Sequence, residues 1–157
     1  MTTIRELLHD ELVIDEIAAT DKRGVLLEFA GLLKARGRIG NPEELVRVLM
    51  ERESLGSTGI GDGIAIPHGK LDVIQDMIVA FGRSTRGIDF QSLDQKPAHL
   101  FFLLITPAGK PGEHLKALAR VSRILKNPVL RHELQHAPNR QELQRLICAE
   151  DGKFSPR

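Results

Sequence analysis

The chain has 157 residues, 41% of them hydrophobic, which suits one domain with a real core. Its 22 basic and 21 acidic residues leave a formal net charge of +1, so charge gives no ground for nucleic acid or a membrane surface as the main partner. The 6 aromatic residues are all Phe, which offers no stacking platform for single strands and predicts an aliphatic core; the lone Cys148 excludes an intramolecular disulfide framework, a CxxC pair and a multi-cysteine zinc site.

The first segment, "MTTIRELLHDEL", is charged throughout and lacks the apolar centre of a signal peptide. The longest apolar run, "LFFLLI" from Leu100 to Ile105, is far too short to span a bilayer, and a soluble, cytoplasmic protein is expected. A short first helix and a strand around Leu12 to Ile14 come first. Thr20 is then predicted to open a helix whose stripe is Val25, Phe29, Leu32 and Leu33, ending at Gly37. Asn41 caps the next helix, with Pro42 in its first position and Glu44 three residues after the cap, and Leu45, Leu49, Val46 and Met50 form its buried face. That helix runs through Arg52 into a glycine-rich segment. Ile64 to Ile66, Met77 to Gly82 and Leu100 to Ile105 read as interior strands. In "GEHLKALARVSRILK" the residues His114, Leu118, Val121 and Leu125 share a helical face; Asn127 with Pro128 starts a short helix, and Asn139 with Glu142 the last. Strands interleaved with helix pairs imply an α/β fold with a sheet covered on both faces. Residues 1–150 are expected to form a single domain and 151–157 a frayed tail.

The chemistry concentrates in "GSTGIGDGIAIPHGK", Gly56 to Lys70. Its glycines permit unusual backbone conformations, and Pro67 fixes the dihedral leading into His68, so the stretch reads as a loop presenting one imidazole. Two nucleotide motifs fail here. Gly63 and Gly69 enclose five residues where the Walker pattern needs four, with Leu71 after Lys70 in place of Ser or Thr; Gly59-Ile60-Gly61 finds Ile64 where a dinucleotide fingerprint needs glycine. "HELQH", His132 to His136, fits a zinc-peptidase motif but lacks its glycine-histidine continuation, and a solvated short helix explains the same letters. Ser57 is not in a nucleophile elbow; Ser57 and Thr58 are turn residues able to donate hydrogen bonds to an anion.

His68 remains as the reactive group, an imidazole largely neutral and nucleophilic at cellular pH. Phosphoryl transfer suits it, since that reaction needs positioning and stabilisation of spread negative charge. Arg52 reads either as a solvated helix-end cation or as the charge stabiliser for this loop. His114 reads either as a packing residue or, in the first turn of its helix, as a donor to an anion.

The run "ESLGSTGIGDGIAIPHG", Glu53 to Gly69, strongly resembles the signature of the fructose/mannitol-type enzyme IIA domains of the bacterial phosphoenolpyruvate-dependent phosphotransferase system, and most of all its nitrogen-regulatory member. "EHL" opening a long helix extends the resemblance over nearly the whole chain. It implies a three-layer αβα domain with a mixed sheet. It implies that His68 accepts a phosphoryl group from an HPr-like phosphohistidine carrier, with Arg52 and His114 lining the site, and without metal or nucleotide cofactor. Asp62 departs from the asparagine expected in the nitrogen-type loop, and a carboxylate facing a phosphoryl dianion would repel it. The expected role is regulatory, acting on other proteins, because the chain holds no IIB-like domain and Cys148 reads as packing. The rival roles are a sugar-specific IIA that passes the group to a IIB domain and a non-catalytic interaction module.

Overall fold

The structure, a computed structural model, describes residues 3–154. Its elements in chain order are α1 (Ile4–Leu7), a 3-10 turn (Asp10–Leu12), β1 (Val13–Ile14), α2 (Lys22–Ala35), α3 (Pro42–Ser54), β2 (Gly59–Gly61), β3 (Ile64–Ala65), β4 (His68–Leu71), β5 (Ile78–Ile88), β6 (Ala98–Pro107), α4 (Pro111–Leu125), α5 (Pro128–His136) and α6 (Arg140–Gly152). The caps form as the sequence predicts at three helices: the Asn41 side chain accepts from the Glu44 amide, Asn127 from Val129 and Leu130, and Asn139 from Glu142. At α2 the cap is Asp21 in place of Thr20, its carboxylate accepting from the Gly24 amide at 2.7 Å.

The sheet is mixed, in the order β1-β5-β6-β3-β2, with β4 also paired to β6. β5 and β6 are antiparallel, while β1 runs parallel to β5 and both β3 and β4 run parallel to β6. Ile64 lies opposite Leu100 and His68 opposite Leu104, so the register does not slip between β3 and β4. Only Ile66 and Pro67 separate them, and Pro67, having no N–H, still accepts from the Leu104 amide at 3.0 Å.

Alternation along β6 divides the core. Leu100, Phe102 and Leu104 join Val121, Ile124, Leu134 and Ile147 from α4, α5 and α6 on one face. Phe101, Leu103 and Ile105 join Phe29, Leu33, Leu45 and Leu49 from α2 and α3 on the other. The result is the three-layer αβα arrangement. The core is mainly aliphatic, as expected, and Phe29, Phe81, Phe90, Phe101 and Phe102 are all fully buried within it, with Phe81 edge-on to Phe102 and Phe90 edge-on to Phe101. Few aromatics, placed centrally, fill the space between sheet and helices.

Three expectations shift. β5 extends to Ile88 through a polar second half in which Thr85 and Arg86 are exposed, which the apolar run alone could not mark. β2 and β4 lie within the stretch read as loop, so His68 opens a strand. The expected tail boundary falls inside α6, which continues to Gly152 because Asp151 is fully buried, paired with Arg120 and accepting from the Arg5 amide. Residues 155–157 of that tail lie outside the described residues. Among the described residues, no helix is long and apolar enough to cross a membrane.

Gly82 on β5 marks a tight contact with the α2 layer, where an added Cβ would come within 2.8 Å of Ile17 Cδ1 and 2.9 Å of Phe29 Cζ. Both neighbours are buried in the core. Gly82→Ala therefore lowers unfolding stability by about 1–3 kcal/mol through overpacking, read as a reduced urea midpoint at constant m-value.

Candidate functional site

The site forms where β4 emerges beside β6, between α3 on one side of the sheet and α4 on the other. His68 shares its face of the sheet with Ile64, Ile66 and Leu104, and so points toward α4. α3 packs across the opposite face, with Val48 over Gly69, and its last turn carries Arg52 to the strand's start.

The His68 ring is held at both nitrogens. Nδ1 lies 2.7 Å from the Ile66 carbonyl, which can only accept, so Nδ1 carries the hydrogen. Nε2 of the neutral ring then holds a lone pair, facing Arg52 Nε–H at 3.2 Å. Arg52 also donates through Nη1 to the Gly56 carbonyl at 2.9 Å, which ties the guanidinium to the loop. The reading of Arg52 as a freely solvated cation gives way to this bridge.

His114 sits in the first turn of α4, buried, with Nδ1 2.7 Å from Thr106 Oγ1 at the end of β6. Its ring centroid is 5.2 Å from that of His68 at an angle of 54°. Thus the structure brings His68, Arg52 and His114 together. Lys70, two residues along β4, is exposed and adds positive charge near His114.

Ser57 and Thr58 stand differently from the anion-donor expectation, because their hydroxyls are spent tying the loop to neighbouring elements. Ser57 Oγ donates to the Phe90 carbonyl at 2.7 Å and accepts from the Gly59 amide at 3.0 Å. Thr58 Oγ1 donates to Glu53 Oε2, and its amide reaches Glu53 Oε1 at 3.1 Å. Glu53 is buried and also accepts from Lys22 Nζ at 2.9 Å. Sequence reasoning missed Glu53, Lys22 and Thr106, whose partners lie on other elements. It also missed the β2–β3 hairpin, although Asp62-Gly63 is a strong signal for one: both take positive φ, 57° and 76°, as a two-residue turn requires. Asp62 is exposed on that turn, with its amide donating to Asp94 Oδ2 at 3.1 Å.

The remaining candidates lie elsewhere. His132 and His136 are exposed on α5, their ring centroids 4.3 Å apart, and His136 Nδ1 lies 2.9 Å from the His132 carbonyl. Lys70 lies within a strand, where a phosphate-loop lysine would open a helix. Cys148 is half-buried on α6, and burial, with Asp151 nearby, pushes its thiol up.

The sequence matches the family described as "Phosphoenolpyruvate-dependent sugar phosphotransferase system, EIIA 2" over residues 6–149. The chain belongs to this family. A nitrogen regulatory protein of Bradyrhizobium diazoefficiens is 37% identical over 146 residues, covering 92% of this chain and 94% of that protein. The fructose-specific EIIABC component of Bacillus subtilis is 36% identical over 148 residues, 94% of this chain; the chain spans 23% of that protein's length. Among solved structures, the nitrogen regulatory protein IIA-Ntr of Neisseria meningitidis superposes with a TM-score of 0.85 at 28% identity, covering 92% of this chain and 98% of that one.

Electrostatics favour the neutral form of both imidazoles. Burial pushes the His68 pKa below its ordinary value; the Ile66 carbonyl opposes this, Arg52 adds to it and Glu53 opposes it. His114 is lowered by burial first, then by His68, Lys70 and Arg52. Between those lowered values and about 6.5, the unfolded chain binds more protons than the folded one, so this contribution to stability falls as pH drops through that window. A ¹⁵N-edited titration is expected to find both rings titrating below free histidine, His68 as the Nδ1–H tautomer. Arg52→Gln moves the His68 midpoint upward, since it removes a nearby positive charge.

Proposed function

We propose that the chain is a phosphocarrier whose His68 Nε2 accepts a phosphoryl group from an HPr-like phosphohistidine protein. The observation that carries this reading is the Nδ1–Ile66 tie, because it holds the proton on one nitrogen and leaves the other, beside Arg52, as the nucleophile. As the P–N bond to the donor imidazole breaks, a P–N bond forms at Nε2. The Nδ1 hydrogen stays in place, and the Ile66 carbonyl faces the positive charge the ring gains. Arg52 then has a phosphoryl oxygen to bind in place of the lone pair. If the Thr106 hydroxyl donates to His114 Nδ1, His114 carries its hydrogen on Nε2 as a second donor. Ser57 and Thr58 support the site by shaping its loop. The donor's phosphoryl group is already activated, so the step asks for no metal or nucleotide from this chain.

Similarity to nitrogen regulatory proteins over nearly their whole length favours a regulatory role in the cytoplasm. Phosphorylation there adds about −1.5 to −2 charge and new acceptor oxygens, changing how the His68 face meets other proteins. The fructose-specific relative favours a second reading, in which the group passes to a IIB domain for sugar uptake.

Incubation with phosphoenolpyruvate, the first phosphotransferase enzyme and an HPr-like carrier is expected to leave an acid-labile, base-stable label on His68. Undiminished labelling of His68→Ala overturns this. Arg52→Gln and His114→Gln each slow acceptance on the order of 10²-fold in quench-flow. Fast onward transfer to the cysteine of a IIB domain, matching the incoming rate, decides for transport over regulation.

A further inference from the structure

Glu53 poses an electrostatic problem. It follows Arg52 directly on α3, and its side chain is only 3% exposed. A buried carboxylate without a partner is strongly disfavoured, and the guanidinium beside it is the obvious candidate. Yet Arg52 turns to Gly56 and His68 instead. The counter-ion comes from another helix. Lys22, in the first turn of α2, places Nζ 2.9 Å from Glu53 Oε1, with its side chain 11% exposed. The same ammonium lies 4.8 Å over the ring of Phe90, whose carbonyl receives the Ser57 hydroxyl. Thr58 fills further acceptor positions of the carboxylate with its amide and hydroxyl.

We propose that Lys22 is a positioning residue for the phosphoryl acceptor: its ammonium occupies the Glu53 carboxylate, leaving Arg52 turned toward His68 Nε2. The inference rests on His68 being the acceptor. Its logic is competition. Lys22 holds the buried Glu53 carboxylate while Arg52, next to Glu53 in sequence, stays at the imidazole; an unpaired carboxylate would draw Arg52 off and repel an incoming phosphoryl group. Loss of either charge moves His68 by ordinary Coulomb interaction, in opposite directions, so the transfer rate discriminates: a plain structural ion pair is not restored by removing both partners, whereas here removing Glu53 along with Lys22 recovers it. The other charged or titratable groups around His68 are Arg52 from α3, Lys70 from β4 and His114 from α4, and none of these is altered in the test.

Titration of His68 by NMR in the unphosphorylated protein provides the first readout. Lys22→Met leaves the carboxylate uncompensated and raises the His68 midpoint, whereas Glu53→Gln leaves the ammonium uncompensated and lowers it. Lys22→Arg restores the wild-type value. Lys22→Gln keeps a donor to Glu53 without the charge and shifts the midpoint upward even if Lys22→Met folds poorly. The second readout is phosphoryl acceptance at saturating donor: Lys22→Met slows it about tenfold or more, and the Lys22→Met/Glu53→Gln double variant recovers most of the loss, because no orphan carboxylate remains to draw Arg52 away. Shifts of the same sign in Lys22→Met and Glu53→Gln, no shift in either, or a wild-type transfer rate in a folded Lys22→Met overturn the proposal. If even the wild-type chain takes no label on His68, the phosphoryl reading fails, while the titration still judges Lys22.

Discussion

Strand β6 is paired along both flanks and buried on both faces, and the rest of the molecule is arranged around that constraint. β5 lies antiparallel on one side, while β3 and β4 lie parallel on the other in a single uninterrupted register. Because the register is continuous across Pro67, the direction of His68 is dictated by the pleat: it shares a face with Ile64 and Ile66 and must look toward α4. A slip of one residue would turn the imidazole toward α3 and Gly69 toward His114. The hydrophobic residues on both faces of β6 therefore hold the imidazole as much as its own hydrogen bonds do.

What the sequence disclosed was mostly local. Asn41, Asn127 and Asn139 announce their helices because a cap acts within three residues, and the apolar runs of β5 and β6 announce buried strands because both faces are covered. The glycine-rich segment concealed β2 and β4, since GIG has one side chain and HGKL no apolar alternation to read; their existence depends on neighbours that offer paired backbone groups. The few Phe residues pointed to the largely aliphatic interior that is found, but their number could not say that five of them sit at its centre. For the site, His68, Arg52 and His114 could be singled out by motif and resemblance. The shell that orients them could not. Thr106 meets His114 through the turn from β6 to α4, and Lys22 meets Glu53 across two helices, pairings that exist only once the layers are stacked.

Two levels of organisation therefore coincide at one end of β4. The inner level is chemical: a carbonyl fixes the proton on one ring nitrogen and a guanidinium addresses the other. The outer level is electrostatic, with the Glu53 carboxylate held beneath the loop by the Lys22 ammonium and by the amide and hydroxyl of Thr58. The hydroxyls of Ser57 and Thr58 belong to this outer level. Their value lies in rigidity, which lets the few groups that face the imidazole act without first being reorganised.

The two outermost strands of the sheet have only two and three residues, β1 and β2 respectively, and the pairing of β2 is broken by a register shift. Such stubs offer too few free amides and carbonyls in line for a foreign strand to zip onto the sheet. Strand addition at these two ends is thereby disfavoured, which guards them against edge-to-edge pairing between copies of the chain.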